Sequence, residues 1–216
     1  MTSPPINVVQ AALNPQGLAR KAIGNPRLLP QIFELLNSPH PRVKYGCAKA
    51  LRRISEQRPE RLYPHWDCIV RLLDHENRIL QWDGAFVLSH LAKVAARGKF
   101  EAIFKKYFSP ISGPAMITAA TVIQGGARIA QAQPHLADRI AAEILKVARA
   151  RYQTPECRNV VIGHAIVALG EILPLLRRPA VAVQFVRKQT RNSRPGTRKK
   201  AARFFKSQRP APTPSR

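Results

Sequence analysis

The chain has 216 residues, 45% of them hydrophobic, enough for one domain or one repeat array with a real apolar core and too apolar for global disorder. Thirty-six Lys and Arg against twelve Asp and Glu give a formal charge of +24. Such a surplus favours anionic partners, nucleic acid first, then an acidic protein or an anionic membrane surface.

The first ten residues, MTSPPINVVQ, carry no basic stretch followed by an apolar run, so no signal peptide is expected. Cys47, Cys68 and Cys157 are scattered without CxxC spacing, which predicts reduced, mostly buried thiols in a cytoplasmic protein. The most apolar stretch, Val160 to Leu176, is interrupted by His164, Glu171 and Pro174. A soluble chain without a membrane span is the expectation.

Helical periodicity runs along the chain, and alternating strand patterns are hard to find. Prolines predict helix starts at Pro41, Pro59, Pro114, Pro134 and Pro155, because proline suits a helix's first turn. The pieces between are short, the rhythm of helical hairpins. A shift of 37 residues lays Phe33-Glu34-Leu35-Leu36-Asn37 on Val70-Arg71-Leu72-Leu73-Asp74. Without a gap, Val43, Tyr45, Ala48, Leu51 and Ile54 then fall on Leu80, Trp82, Ala85, Leu88 and Leu91. A weaker copy runs through Ile117, Ala120 and Ile123, and another through Val160 to Leu169.

The pattern resembles the HEAT-repeat family and its armadillo-like relatives. The residues that carry the resemblance are Leu72-Leu73-Asp74, Arg78 and the series Ala85, Leu88, Leu91, with their partners 37 positions earlier. It implies an all-α fold: a right-handed α-α superhelix of about four to five HEAT-like hairpins, whose second helices line a concave binding face. It also places Asp74 where it can cap the next helix.

The expected organisation is a repeat domain over residues 1–186, a basic C-terminal segment over 187–206 and a disordered Pro-rich tail over 207–216. From Arg187 onward 30 residues hold eleven basic side chains and no acidic one. Within them Gly196 to Lys206 reads as a short amphipathic helix with Ala201, Phe204 and Phe205 on one side.

Two sets of residues are candidates for binding. On a wheel of Arg78 to Val94, Leu80, Gly84, Val87, Leu88 and Leu91 share the packing face, with Trp82, Phe86, Ser89 and Lys93 opposite. One repeat earlier the matching positions are Tyr45, Lys49, Arg52 and Glu56. Tyr45, Lys49, Arg52, Trp82, Phe86 and Lys93 would then mix cations with aromatic faces, which suits phosphate contact and base stacking; the alternative is that Trp82 and Phe86 pack against a neighbouring repeat. The second set is C-terminal: Arg187, Lys188, Arg191, Arg194, Arg198, Lys199, Lys200 and Arg203. Unpaired charge at that density grips phosphates without reading sequence, or serves as a solubilising tail; an anionic membrane surface ranks below both.

Catalytic patterns are sparse. Six histidines show no HExxH, the cysteines no zinc spacing, and no metal or cofactor is implied. His75-Glu76 is a single His-Glu dyad, whereas the HEAT-repeat di-iron hydroxylases use several. The HEAT-like alkylpurine DNA glycosylases are similar in fold, size and charge, and Trp82-Asp83 and Trp66-Asp67 are the Trp-Asp neighbours here. That resemblance brings no alignable active-site motif, so it ranks last. The leading expectation is a non-catalytic helical-repeat protein that binds nucleic acid through a basic concave face and basic C-terminal segment. The alternative is a protein–protein scaffold whose groove holds a partner segment, such as an acidic one.

Overall fold

The computed structural model describes residues 7–207 and divides them into two compact units, one ending at Tyr107 and the other beginning at Phe108. Among these residues every regular element is helical. The first unit opens with α1 (Val8–Ala11) and α2 (Pro15–Gly24), whose N-caps Asn7 and Asn14 accept from backbone N–H groups three residues on. Side-chain oxygens there satisfy donors that the helix itself cannot.

Two hairpins follow. In the first, α3 (Leu29–Glu34) tightens into the 3-10 turn Leu35–Asn37 and leads into α4 (Pro41–Gln57). In the second, α5 (Pro59–Leu62) and α6 (Trp66–Arg71) form a broken first helix. It ends in the 3-10 turn Leu72–Asp74, before α7 (Arg78–Leu91). The two turns and the two second helices stand 37 residues apart, as the sequence pattern predicts. Last in this unit is most of α8 (Lys99–Phe108), whose Phe100 meets Trp66 edge-on at 5.1 Å, while the buried Tyr107 donates its hydroxyl to Ala85 O at 3.0 Å.

The second unit begins at the last residue of α8 and contains α9 (Met116–Ala132), α10 (Ala137–Leu145), α11 (Pro155–Ile172), α12 (Pro179–Lys188) and α13 (Pro195–Ser207). Helix α11 packs between α9 and α13. Together with the turn after it, it is long and apolar enough to cross a membrane by length and composition. Its apolar residues cover most of its circumference because neighbours flank it on both sides: Val161, Ile162, Ala165, Ile166, Leu169 and Ile172 are all buried.

Three sequence expectations change. Asp74 does not cap α7; Asn77 does, accepting from Ile79 N and Leu80 N, while Asp74 pairs with Lys106. Ser89 is buried rather than exposed, and its hydroxyl donates to Phe86 O at 2.6 Å. The reason is that α4 and α6 both pack on α7, covering more of it than one stripe. Of the three thiols only Cys47 is buried, its pKa pushed up to about 11 by burial; Cys68 and Cys157 are half-exposed.

The boundary at residue 186 falls inside α12, and residues 187–206 run on through the turn Gln189–Arg191 into α13. Ala201 and Phe204 are buried on α13, whereas Phe205 is half-exposed. Thr197 is fully buried and donates to Asn159 O of α11 at 2.7 Å. Thr197→Val keeps the shape and deletes this bond, so it is expected to cost about 1 kcal/mol, read as a thermal midpoint lower by roughly 2–4 °C. An unchanged midpoint would show that the bond adds nothing to α13 docking. Apart from Ser207, the expected disordered tail lies outside the described residues.

Candidate functional site

In the first unit the adjacent helices α4 and α7 carry most of the first candidate set. Their side chains meet at an ion pair, Arg52 Nη1 to Asp83 Oδ1 at 3.0 Å. The Arg52 guanidinium also lies over the Phe86 ring, 3.8 Å from its centroid, a cation–π contact. Asp83 is only 7% exposed. Burial raises its pKa, opposed by the bond to Arg52 and by the charges of Arg52 and Lys49. Tyr45, half-buried, accepts from Asn77 Nδ2 at 3.0 Å, so it steadies the cap of α7.

The structure thus gathers Tyr45, Lys49, Arg52, Trp82 and Phe86 on one pair of helices but sets them to different work. Tyr45 and Arg52 tie one repeat to the next, and Phe86 is covered on one face by Arg52. Trp82 is half-buried. Lys49 is exposed, and so is Lys93, which sits beyond the end of α7. The sequence reading missed Asp83 as the partner of Arg52. The two lie 31 residues apart, six short of the 37-residue repeat, so the repeat register does not pair them. Asp83 as a glycosylase carboxylate would have to act from a buried ion pair.

The C-terminal set separates in the same way. Arg187, Lys188 and Arg191 are exposed at the end of α12 and in the turn after it. Arg194 Nε lies 2.6 Å from Glu156 Oε1, and Arg198 Nη1 donates to the carbonyls of Asn192 and Ser193 at 2.8 Å each. Lys199 and Arg203 are exposed on α13. Lys200 is different: it is half-buried against α11.

Around Lys200, helices α9, α11 and α13 form a groove of about 610 Å³ lined by Gln124, Arg128, Gln131, His164, Glu171 and Lys200, among others. Gly163 makes room for the lysine: a Cβ there would stand 3.3 Å from Lys200 Cδ and 3.4 Å from Nζ. Gln124 Nε2 lies 2.7 Å from His164 Nδ1. The amide nitrogen is a donor only, so Nδ1 accepts and the proton of the neutral imidazole sits on Nε2. Burial first, then Lys200 and Arg194, lower the His164 pKa; burial, then Arg194, lower that of Lys200. This groove was invisible in the sequence because its parts come from three helices about 40 residues apart.

The HEAT repeat family matches residues 28–58, which span α3 and α4. No curated protein matches the sequence. Among solved structures, a designed armadillo repeat protein, YIII(Dq)4CqI, superposes with a TM-score of 0.61 at 14% identity, covering 95% of both chains. A second design, YIII(Dq.V1)4CPAF in complex with the peptide (KR)4, gives 0.54 at 14% identity over 93% of this chain and 89% of that one. Kap121p bound to Pho4p gives 0.61 at 18% identity, over 92% of this chain and 21% of Kap121p. At such identities the likeness is one of fold.

Proposed function

We propose that this chain, which has the fold of HEAT and armadillo-like helical repeats and matches the HEAT repeat over residues 28–58, is a non-catalytic scaffold that holds an acidic segment of a partner protein. The observation that carries this reading is the uncompensated charge of α4, with five cations against Glu56, and of α13, with five cations and no acid. With thirty-six cations and twelve acids in the chain, one-to-one pairing leaves two dozen cations for partners or counterions. Lys49 and Arg53 on α4 and Lys199 and Arg203 on α13 are exposed. The fold relatives support a polypeptide partner, one being a complex with the peptide (KR)4 and another a complex with Pho4p. Here the charge is basic, so the complementary segment is acidic.

Nucleic acid is the second reading, favoured by the density of cations from Arg187 onward. Its stacking component has lost ground: Phe86 is capped on one face by Arg52, Tyr45 is bound to the α7 cap, and Trp82 is half-buried.

The test is fluorescence polarisation with a labelled octapeptide of alternating Ser and Asp, beside a Lys-Arg octapeptide. The acidic peptide is expected to bind and to be released as salt rises from about 0.1 M to about 1 M, where the screening length falls from about 10 Å to about 3 Å. The basic peptide is expected not to bind. Equal binding of both, or none of either, would overturn the reading.

A further inference from the structure

We infer that the groove between α9, α11 and α13 is a carboxylate seat, in which Lys200 Nζ and His164 Nε2 grip one acidic side chain of an extended partner segment. This rests on the scaffold reading and locates one contact of it. Three observations converge. First, Lys200 is half-buried, and among the described residues no carboxylate pairs with it. A cation withdrawn from water without a counter-charge is costly, and a bound anion would relieve that cost. The same burial, with the Arg194 charge added to it, lowers the Lys200 pKa. Second, the Gln124 bond to Nδ1 fixes the His164 proton on Nε2, and no other described group engages that nitrogen. His164 and Lys200 line the same groove, and the Lys200 charge reaches the ring, so a neutral N–H donor and an ammonium are both available to one carboxylate. Third, the Lys200 side chain lies against α11 at Gly163, where a Cβ would stand 3.3 Å from its Cδ, so the ammonium sits at the groove wall.

The rest of the lining says what carries that carboxylate. Gln124 and Gln131 have amides that both donate and accept, matching the N–H and C=O groups of a polypeptide backbone. Glu171 only accepts. A phosphodiester strand has acceptors along its backbone and no N–H there, so it offers Glu171 no donor, whereas a peptide N–H can donate to Glu171. Val167, 44% exposed, and Ala168 add a short apolar floor. A peptide segment fits this mixture better than a run of phosphates.

The experiment compares full-length Lys200→Gln, His164→Ala and Lys105→Gln by polarisation with the labelled Ser-Asp octapeptide, each variant first checked for an unchanged thermal midpoint. Lys105→Gln removes the same charge from an exposed site on α8 and controls for overall field. Lys200→Gln is expected to weaken binding about 10-fold and His164→Ala about 3-fold, against less than about 2-fold for Lys105→Gln. His164→Ala leaves the net charge unchanged and reports the seat even if Lys200→Gln fails to fold. Equal weakening by Lys200→Gln and Lys105→Gln, with His164→Ala neutral, would overturn the seat while leaving the scaffold reading in place. No peptide binding, with binding of an oligonucleotide of equal charge instead, would overturn both.

Discussion

Replacing Gly113 with alanine is expected to lower stability by about 4 kcal/mol. Gly113 has φ +96° and ψ −177°, a region open essentially to glycine alone, and forcing alanine into it costs about 1–3 kcal/mol. A Cβ there would also run into the carbonyl oxygen of Arg151. That oxygen cannot swing aside as a side chain would. The loop is pinned to its neighbour, with Arg151 N donating to Ser112 O at 3.4 Å and the Tyr152 hydroxyl donating to Ile111 O at 2.6 Å. Overpacking against backbone adds about 1–3 kcal/mol. For a chain of this size the thermal midpoint should fall by roughly 8–16 °C. Gly98 supplies the comparison: its φ is +93°, but a Cβ there meets nothing within 4 Å. Gly98→Ala should therefore show the backbone strain alone. Equal losses at the two glycines would mean that the collision with Arg151 is relieved without cost.

Arg52→Met is expected to cost about 2 kcal/mol at neutral pH. Breaking a buried pair costs about 3–5 kcal/mol because one charge is left stranded. Here the Arg52 side chain is 41% exposed against 9% for Asp83, so solvent screens part of that loss. The deficit should depend on pH in a defined direction. The Asp83 pKa is already raised by burial, and losing Arg52 raises it further. An acid whose folded pKa lies above its unfolded value binds more protons when folded. Its penalty is absent below the unfolded value, opens as pH rises through that value, and is complete above the folded one. The variant should therefore approach the parent near pH 4 and fall behind toward neutrality, as read by urea unfolding at several pH values. The double variant Arg52→Met with Asp83→Asn should recover most of the loss, because the stranded charge is gone. A deficit independent of pH would assign the cost to lost packing over Phe86 instead.

How far the sequence revealed this protein depends on register. The second helices start at Pro41, Arg78, Met116, Pro155 and Pro195, so each step is one residue longer than the last. An ungapped comparison at 37 residues therefore finds the first pair and loses the rest, since each added residue turns a helical position by about 100°. That drift is why the copies through Ile117 and Val160 looked weak although α9 and α11 form regularly. It also hid the first helix of the last hairpin, which Pro179 opens and which runs across residue 186. The amphipathic pattern over Gly196 to Lys206 showed α13 and its buried Ala201 and Phe204, but gave no sign of the buried Thr197.

The candidate residues show a similar limit. A helical wheel separated Leu80, Val87 and Leu91 from Trp82 and Phe86, because periodicity reports the most buried stripe. It could not report that Arg52 reaches across to Asp83, or that Gln124, His164 and Lys200 meet. Those pairings depend on how successive helices align, and a single helix contains no record of that alignment.

The central claim is that the basic faces of this scaffold hold an acidic polypeptide rather than a nucleic acid strand. Its most direct measurement is a side-by-side polarisation titration of the full chain, at about 0.15 M salt, with the Ser-Asp octapeptide and with single-stranded DNA and RNA of equal charge. Tighter binding of the peptide is expected, weakened about 10-fold by Lys200→Gln, with the oligonucleotides bound more weakly and unaffected by that change. Tighter binding of the oligonucleotides, with the peptide failing to compete for them, would contradict the claim.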